Sequence, residues 1–476
     1  MSGTHWGYHV VVVLLTVASF GCNSEPEKNA QPDSSTVQQP TGTPQTSVPS
    51  QQDRSTSAPA TKQATQPQPA VAENALRKEQ ADGELENLGV RISDGLTGSE
   101  VVLRNDDIDQ DSFDRAISLL KMFYTVTELE VDCEQITNVD QLQKLKSLQK
   151  LRFWGCESLT NIDGLQGLTE LRDLDLTCYE QMQNLQGMQE LTNLESLSLS
   201  GFSPLNNSEV FSNFTKLKEL FLYNPVKLTE LNGLRTLTNL EILYIQNGSQ
   251  IKDFNGLRTL ASLQVLTLAS TDGLKDLDVL QDLANLNSVE LRYCRGLKSV
   301  DGIQKLTQLK SLNLNDCNSL ANIDGFQGLI NLETLVLNDC DSLTDIKPLQ
   351  HLKKLQDLDL GACKLITKLD VVRQLTSLTK LRLYEWQLTN LNCVRGLTNL
   401  ETLDVIGWHS LTDIDGLQEL MSLRKLSLYE CTELADIDPL KKLKSLRELD
   451  LSSCPKLTEA QIESLKNAIP DCEIEH

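Results

Sequence analysis

Apolar and polar residues alternate with a period of two in short runs, and the runs return at a nearly constant interval. The phrase L-x-x-L-x-L, with some conservative replacements, occurs fifteen times between Val126 and Leu451. Its second Leu-type position falls at Leu129, Leu151, Leu174, Leu197 and onward through Leu426 to Leu449; twelve of the fourteen intervals are 23 residues and two are 22. No insertion interrupts the series. In the unit Leu171-Arg172-Asp173-Leu174-Asp175-Leu176-Thr177-Cys178, the alternation predicts a short strand with Leu174 and Leu176 pointing inward. Such strands, stacked in parallel about 4.8 Å apart, make a sheet roughly 65–70 Å along its curve. One unit cannot bury its apolar face alone, so the units must stack into a solenoid whose core grows with each repeat.

The rest of each unit has to return to the next strand in about a dozen residues. It commonly reads Ile-Asp-Gly-Leu, as in Ile162-Asp163-Gly164-Leu165 and Ile414-Asp415-Gly416-Leu417, with Ile323-Asp324-Gly325-Phe326 and Ile437-Asp438-Pro439-Leu440 as variants. Asp before a small residue predicts an N-cap, and Pro439 suits the first helical position. The short length predicts 3₁₀ or single-turn returns. Position nine of the unit, at the turn after the strand, is Cys156, Cys294, Cys317, Cys340, Cys363, Cys431 or Cys454 in seven units, with Trp386 and Trp408 as replacements. Inward-pointing thiols there read as a buried stack of small hydrophobes. Disulfides between rungs require a dihedral that parallel side chains rarely reach. Cys133, Cys178 and Cys393 lie off this register.

A fixed period of this length with L-x-x-L-x-L and Cys at position nine is the signature of a leucine-rich repeat. The chain resembles bacterial leucine-rich-repeat proteins over roughly residues 100–475, and its unit length and I-D-G-L-x-x-L-x-x-L phrase are those of the internalin type. The resemblance implies an α/β solenoid, a horseshoe with a parallel concave sheet and short 3₁₀ or helical convex returns. It is specific for fold and weak for function. Internalins often carry a C-terminal wall-sorting signal or an immunoglobulin-like module; this chain ends without either, so host adhesion is not expected from the resemblance.

Both ends of a solenoid need covers. Residues 86–125 are expected to form a divergent N-terminal cap: Val101, Val102 and Leu103 predict a first strand, leading through Ile108 and Phe113 to a helix near Asp114–Met122. Repeats occupy 126–455. Residues 456–476 are expected to be the C-terminal cap, with a helix on the spacing Ile462, Leu465, Ile469 and a short strand near Ile474.

Ahead of the caps, Val10–Phe20 is an eleven-residue apolar run. It is too short to span a bilayer and suits the core of a signal peptide covering 1–21. Ser19-Phe20-Gly21-Cys22 resembles a bacterial lipobox, in which Cys22 would be lipidated; Ser19 and Phe20 depart from the usual residues, and the first nine residues hold no Lys or Arg. Simple cleavage at the same bond is the alternative. Residues 22–85 are rich in Gln, Ser, Thr, Pro and Ala, and 23–80 hold almost no large apolar residue, so the segment is expected to be a disordered tether.

The net charge is −23, and residues 22–80 contribute six acids against five bases, so the repeats carry nearly all of it. That sign disfavours nucleic acid as a partner. Of the five histidines, His5 and His9 would be lost on cleavage, His476 is terminal, and His351 and His409 remain. No zincin, nucleophile-elbow or phosphate-loop motif and no Cys-x-x-Cys occurs. No enzyme, cofactor or metal is therefore expected.

The concave sheet is the usual binding surface of a solenoid. Its outward positions are mostly polar, as at Glu128, Glu130, Asp173, Asp175, Ser196, Ser198, Asp357 and Asp359. In three neighbouring units they are Phe221 and Tyr223, Ile242 and Tyr244, and Val265 and Thr267. An aromatic and aliphatic patch within an acidic rim has the composition of an interface centre. Phe221, Tyr223, Ile242, Tyr244 and Val265 are therefore candidate partner-binding residues; cross-strand packing of β-prone side chains is the bland alternative. Tyr384, Tyr429 and Trp154 are lesser outward aromatics. The leading reading is an envelope-tethered protein-binding module, with a membrane touched only through Cys22. A cell-surface glycan binder, using Tyr and Trp to stack on sugars, and an intracellular scaffold are the alternatives.

Overall fold

The structure, a computed structural model, describes residues 69–95, 98–105, 107–176, 181–201 and 205–476. The signal-like segment, Cys22 and most of the expected tether lie outside these residues, as does Cys178. Among the described residues, no helix is long and apolar enough to cross a membrane.

The alternating runs form the predicted stack. Among the described residues, an 18-stranded sheet, three α-helices and fourteen 3₁₀ turns follow one another. Strands β3 (Val126–Asp132) to β17 (Glu448–Asp450) pair in parallel and in chain order, with Leu placed on Leu: Leu151 on Leu174, Leu174 on Leu197, Leu197 on Leu220. These leucines and the second inward row are buried, and one continuous core runs from cap to cap. The strand positions between them face the other way and form an open sheet face, opposite the 3₁₀ returns.

The returns correct one detail. In Asp163–Leu165, Asp324–Gly328, Asp415–Leu417 and Asp438–Lys442, Asp is the first residue of the 3₁₀ turn and Ile holds the cap position, without a side-chain cap. Pro439 is accordingly the second residue of its turn. The polar residue before Ile serves instead: Asn161 Oδ1 accepts from the Asp163 N–H at 3.2 Å, and Asn322, Asp413 and Asp436 accept in the same way at 2.8–2.9 Å. This is the Asx-turn, in which a short polar side chain bonds the backbone two residues on. The glycine has a separate reason. A Cβ on Gly164 would lie 1.8 Å from the Val139 carbonyl oxygen of the preceding return, and on Gly325 2.1 Å from that of Val300.

Position nine behaves as a single ladder. The thiols of Cys294, Cys317, Cys363 and Cys454 donate to carbonyls of the preceding rung at 3.0–3.3 Å. The indole N–H groups of Trp386 and Trp408 do the same to Leu360 and Leu383 at 3.3 and 3.2 Å, so a ring fills the place of a thiol. Thr271, its Oγ1 3.1 Å from Cys294 Sγ, occupies one rung. Cys133 belongs to this ladder too, contrary to its apparent register: it is buried and its Sγ is 3.9 Å from the Leu103 carbonyl. Its unit is one of the two 22-residue units, so the turn is one residue shorter. Cys393 is off the ladder, buried in the turn Asn392–Val394. Cys133, Cys294, Cys317, Cys340, Cys363, Cys393, Cys431, Cys454 and Cys472 are free thiols. Burial pushes the Cys133, Cys393 and Cys431 thiols up to about 12, the behaviour of packed rather than reactive thiols.

The front cap starts earlier than the sequence suggests. Helix α1 (Pro69–Asn87) overlaps the expected tether and buries Ala81 and Leu85 in the common core. It is followed by β1 (Val90–Asp94), which pairs antiparallel with β2 (Ser99–Arg104). Helix α2 (Gln110–Phe123) buries Phe113, Ala116, Ile117, Leu119 and Leu120, with Asp109 capping it through the Ser112 N–H at 2.9 Å. Arg115 holds α1 by two hydrogen bonds to Glu84, at 2.7 and 3.0 Å. At the other end, helix α3 (Glu459–Ala468) opens on a capping box of Thr458 and Gln461, and β18 (Glu473–Glu475) closes the sheet on β17.

Candidate functional site on the sheet face

Strand register lays the outward side chains in rows that cross the units. One row reads Asp173, Ser196, Glu219, Ile242, Val265, Ser288; the next reads Asp175, Ser198, Phe221, Tyr244, Thr267, Glu290. A third brings Ser200 beside Tyr223 and Tyr223 beside Gln246. The five candidate residues therefore form one contiguous patch on β7 (Glu219–Tyr223), β8 (Ile242–Gln246) and β9 (Val265–Ala269).

Tyr244 is the hub. Its ring centroid is 5.1 Å from that of Tyr223 and 6.2 Å from that of Phe221, both tilted, within the range of favourable aromatic pairs. Its hydroxyl donates to Gln246 Oε1 at 2.9 Å. Phe221 retains only 5% exposure, so its part is to support the two tyrosines rather than to offer surface. Tyr223, Ile242, Tyr244 and Val265 are half-buried and supply the accessible part. Burial pushes the Tyr223 phenol up to about 12 and raises that of Tyr244. Both stay neutral near pH 7 and act as hydrogen-bonding groups on apolar rings.

The patch has charged margins. Past Thr267 the buried Glu290 pairs with Arg292; sequence reasoning missed this pair, although it continues the row at the same 23-residue spacing. On the other side stand Glu219 and, across β6 (Ser196–Ser200), Asp173 and Asp175 of β5 (Asp173–Leu176). Burial pushes the Asp173 carboxyl up to about 6, with Glu195, Glu219 and Glu128 adding to the effect and Lys150 opposing it. Lys150 itself pairs with Glu128 at 2.8 Å.

The lesser aromatics are not part of this patch. Tyr384 sits on β14 (Lys380–Tyr384), seven strands from Tyr223, beside Arg382, whose Nη1 lies 3.2 Å from carboxylate oxygens of both Asp357 and Asp359. Tyr429 and Trp154 are each 37% exposed and separate from it. His351 and His409 are exposed on different units. Among the described residues, no group of three His, Cys, Asp or Glu is placed to hold a metal ion.

Known proteins agree with the geometry. Residues 131–252 match the BspA-type leucine-rich repeat region family, 330–374 the Leucine Rich repeats family, and 391–466 the Zer-1-like leucine-rich repeat family. A solved leucine-rich-repeat protein of Leptospira interrogans is 23% identical over 74% of this chain and 96% of its own, with a TM-score of 0.60. The internalin InlF of Listeria monocytogenes is 20% identical over 79% of this chain and 95% of its own, with a TM-score of 0.53. No curated protein matches the chain. Fold and matches together define a leucine-rich-repeat solenoid. Its fold is that of the solved leucine-rich-repeat protein of Leptospira interrogans and of the internalin InlF.

Proposed function

We propose that this protein is a non-enzymatic module that is exported, held at the cell envelope and binds a protein partner on its sheet face, at the patch of Tyr223, Ile242, Tyr244 and Val265. The observation that carries this reading is the packing of Phe221, Tyr223 and Tyr244 into one cluster on a face that is otherwise mostly polar. Tyrosine-centred clusters with a charged rim dominate the binding energy of protein interfaces. Tyr223→Ala combined with Tyr244→Ala is expected to weaken partner capture at least a hundredfold, about 3 kcal/mol, with the thermal midpoint nearly unchanged. Capture unchanged by the double substitution rules the patch out. Binding that soluble saccharide competes away, and protein does not, assigns the same rings to glycan.

The envelope part of the reading rests on Val10–Phe20 and Cys22. Intact mass and the N-terminal peptide of protein from native cells test it. A diacyl or triacyl mass on Cys22 is expected. Cleavage without lipid makes the protein a soluble exported binder, and an intact Met1 moves it into the cytoplasm as a scaffold.

A further inference from the structure

Strand β6 differs from its neighbours. Its three outward residues are Ser196, Ser198 and Ser200, all short, between strands bearing long side chains. The result is a furrow floored by serines. One wall is Asp173 and Asp175; the other is Glu219, Phe221 and Tyr223. Successive outward residues are roughly 7 Å apart along a strand, so the three serines span a length that fits one extended side chain. Ser196 Oγ donates to Glu219 Oε2 at 3.2 Å. Ser198 is 8% exposed, and its buried Oγ has no hydrogen-bond partner. A buried hydroxyl left unmatched is costly, and here it stands in the furrow between a carboxylate and a ring.

We propose that the furrow over β6 receives a lysine or arginine side chain of the protein partner, its aliphatic stem along Tyr223 and its cationic head among Asp173, Glu219 and Ser198. This rests on the protein-binding reading of the adjoining patch and names the partner's chemistry: a basic residue next to an apolar or aromatic one. Charge complementarity favours that occupant. The walls bring three carboxylates; Lys150, the cation facing Asp173, already pairs with Glu128, and Lys218 and Arg172 both pair with Glu195. The half-buried ring of Tyr223 suits the stem of a cation, and Ser198 Oγ would accept from its head. Asp173, held toward its neutral form by burial, would ionise fully against a bound cation. Binding should therefore weaken as pH falls from 7.5 through 6 to 5, with Glu128, Glu195, Glu219 and Lys150 being the other charged groups around that carboxyl.

The test is selection of random displayed peptides on the full chain, followed by anisotropy titrations. Enriched peptides are expected to carry Lys or Arg beside an aromatic or aliphatic residue. Replacing that Arg by citrulline, or acetylating that Lys, should weaken binding at least tenfold, as truncation of a buried charge pair does. Asp173→Asn with Glu219→Gln, and separately Ser198→Val, should each do likewise in protein that melts no lower than the wild type. Peptides that Tyr223→Ala with Tyr244→Ala releases, but that lack a basic residue and ignore the furrow variants, overturn the furrow and leave the patch standing. Peptides insensitive to the tyrosine substitutions, or no enrichment at all, overturn both.

Discussion

Asp173 shows how a single residue on this surface trades stability for use. Its carboxyl sits near pKa 6 in the folded chain against an ordinary 3.8, because burial disfavours the charge. The native state therefore holds the proton more tightly than the unfolded chain. The contribution of this group to stability is greatest below pH 3.8 and is lost as pH rises through 6. Asp173→Asn removes that loss. The variant should melt higher than the wild type at pH 7.5, and the gain should disappear by pH 4; a gain that persists at pH 4, or none at pH 7.5, contradicts the assignment. At this scale the sequence was partly legible. Alternation placed Tyr223, Ile242, Tyr244 and Val265 on the sheet face correctly, because a period of two admits no other facing. It could not show that Tyr244 covers Phe221, nor that Ser198 lacks a partner, since both depend on side-chain directions across three strands. Position nine misled at Cys133, where a one-residue shortening of the turn hid a ladder residue.

At the scale of the element, the unit is held by its return as much as by its strand. The glycine of the Ile-Asp-Gly turn is there because consecutive returns stack against each other, and a side chain on Gly325 would strike the Val300 carbonyl at 2.1 Å. Gly325→Ala should destabilise by about 2–4 kcal/mol, in the range of overpacked cores. Gly83→Ala is the control. Gly83 lies within α1 with nothing within 4 Å of the added carbon, so the change should be neutral or stabilise by about 0.5–1 kcal/mol. Equal destabilisation in denaturant titrations of the two variants would refute the stacking argument. The Ile-Asp-Gly pattern announced a turn at each return, but not its mechanism: the side chain that fixes the turn lies one residue before Ile, where Asn, Asp and Ser interchange. Helix α1 was missed for a related reason. Its composition continues the Ala- and Gln-rich stretch before it, and only Ala81 and Leu85, meeting α2 across the chain, tie it to the core.

Across the whole molecule, the core is a line of nearly equivalent rungs, so its ends carry disproportionate weight. Thr458 caps α3 reciprocally with Gln461, and α3 with β18 covers Leu449 and Leu451. Thr458→Ala should cost about 1 kcal/mol. Removing residues 459–476 should go further, with a lower melting point and concentration-dependent light scattering from the bared rungs; a truncated chain that stays monomeric with an unchanged midpoint would show that the cap is dispensable. Only the repeat's period was needed to foresee the solenoid. The use of one stretch of its face was less legible, because any repeat protein varies its outward residues, and a cluster gains meaning from the packing of its neighbours.

A protein partner seated on the sheet face at Tyr244, as proposed, would be within reach of a probe placed there. Site-specific photocrosslinking in native cells tests it most directly, with p-benzoylphenylalanine placed at position 244 in one variant and at 330, an exposed site away from the patch, in another. One discrete crosslinked protein is expected from 244, absent from 330 and lost on substitution of Tyr223. A partner captured from 330 and not from 244, or from both alike, would contradict it.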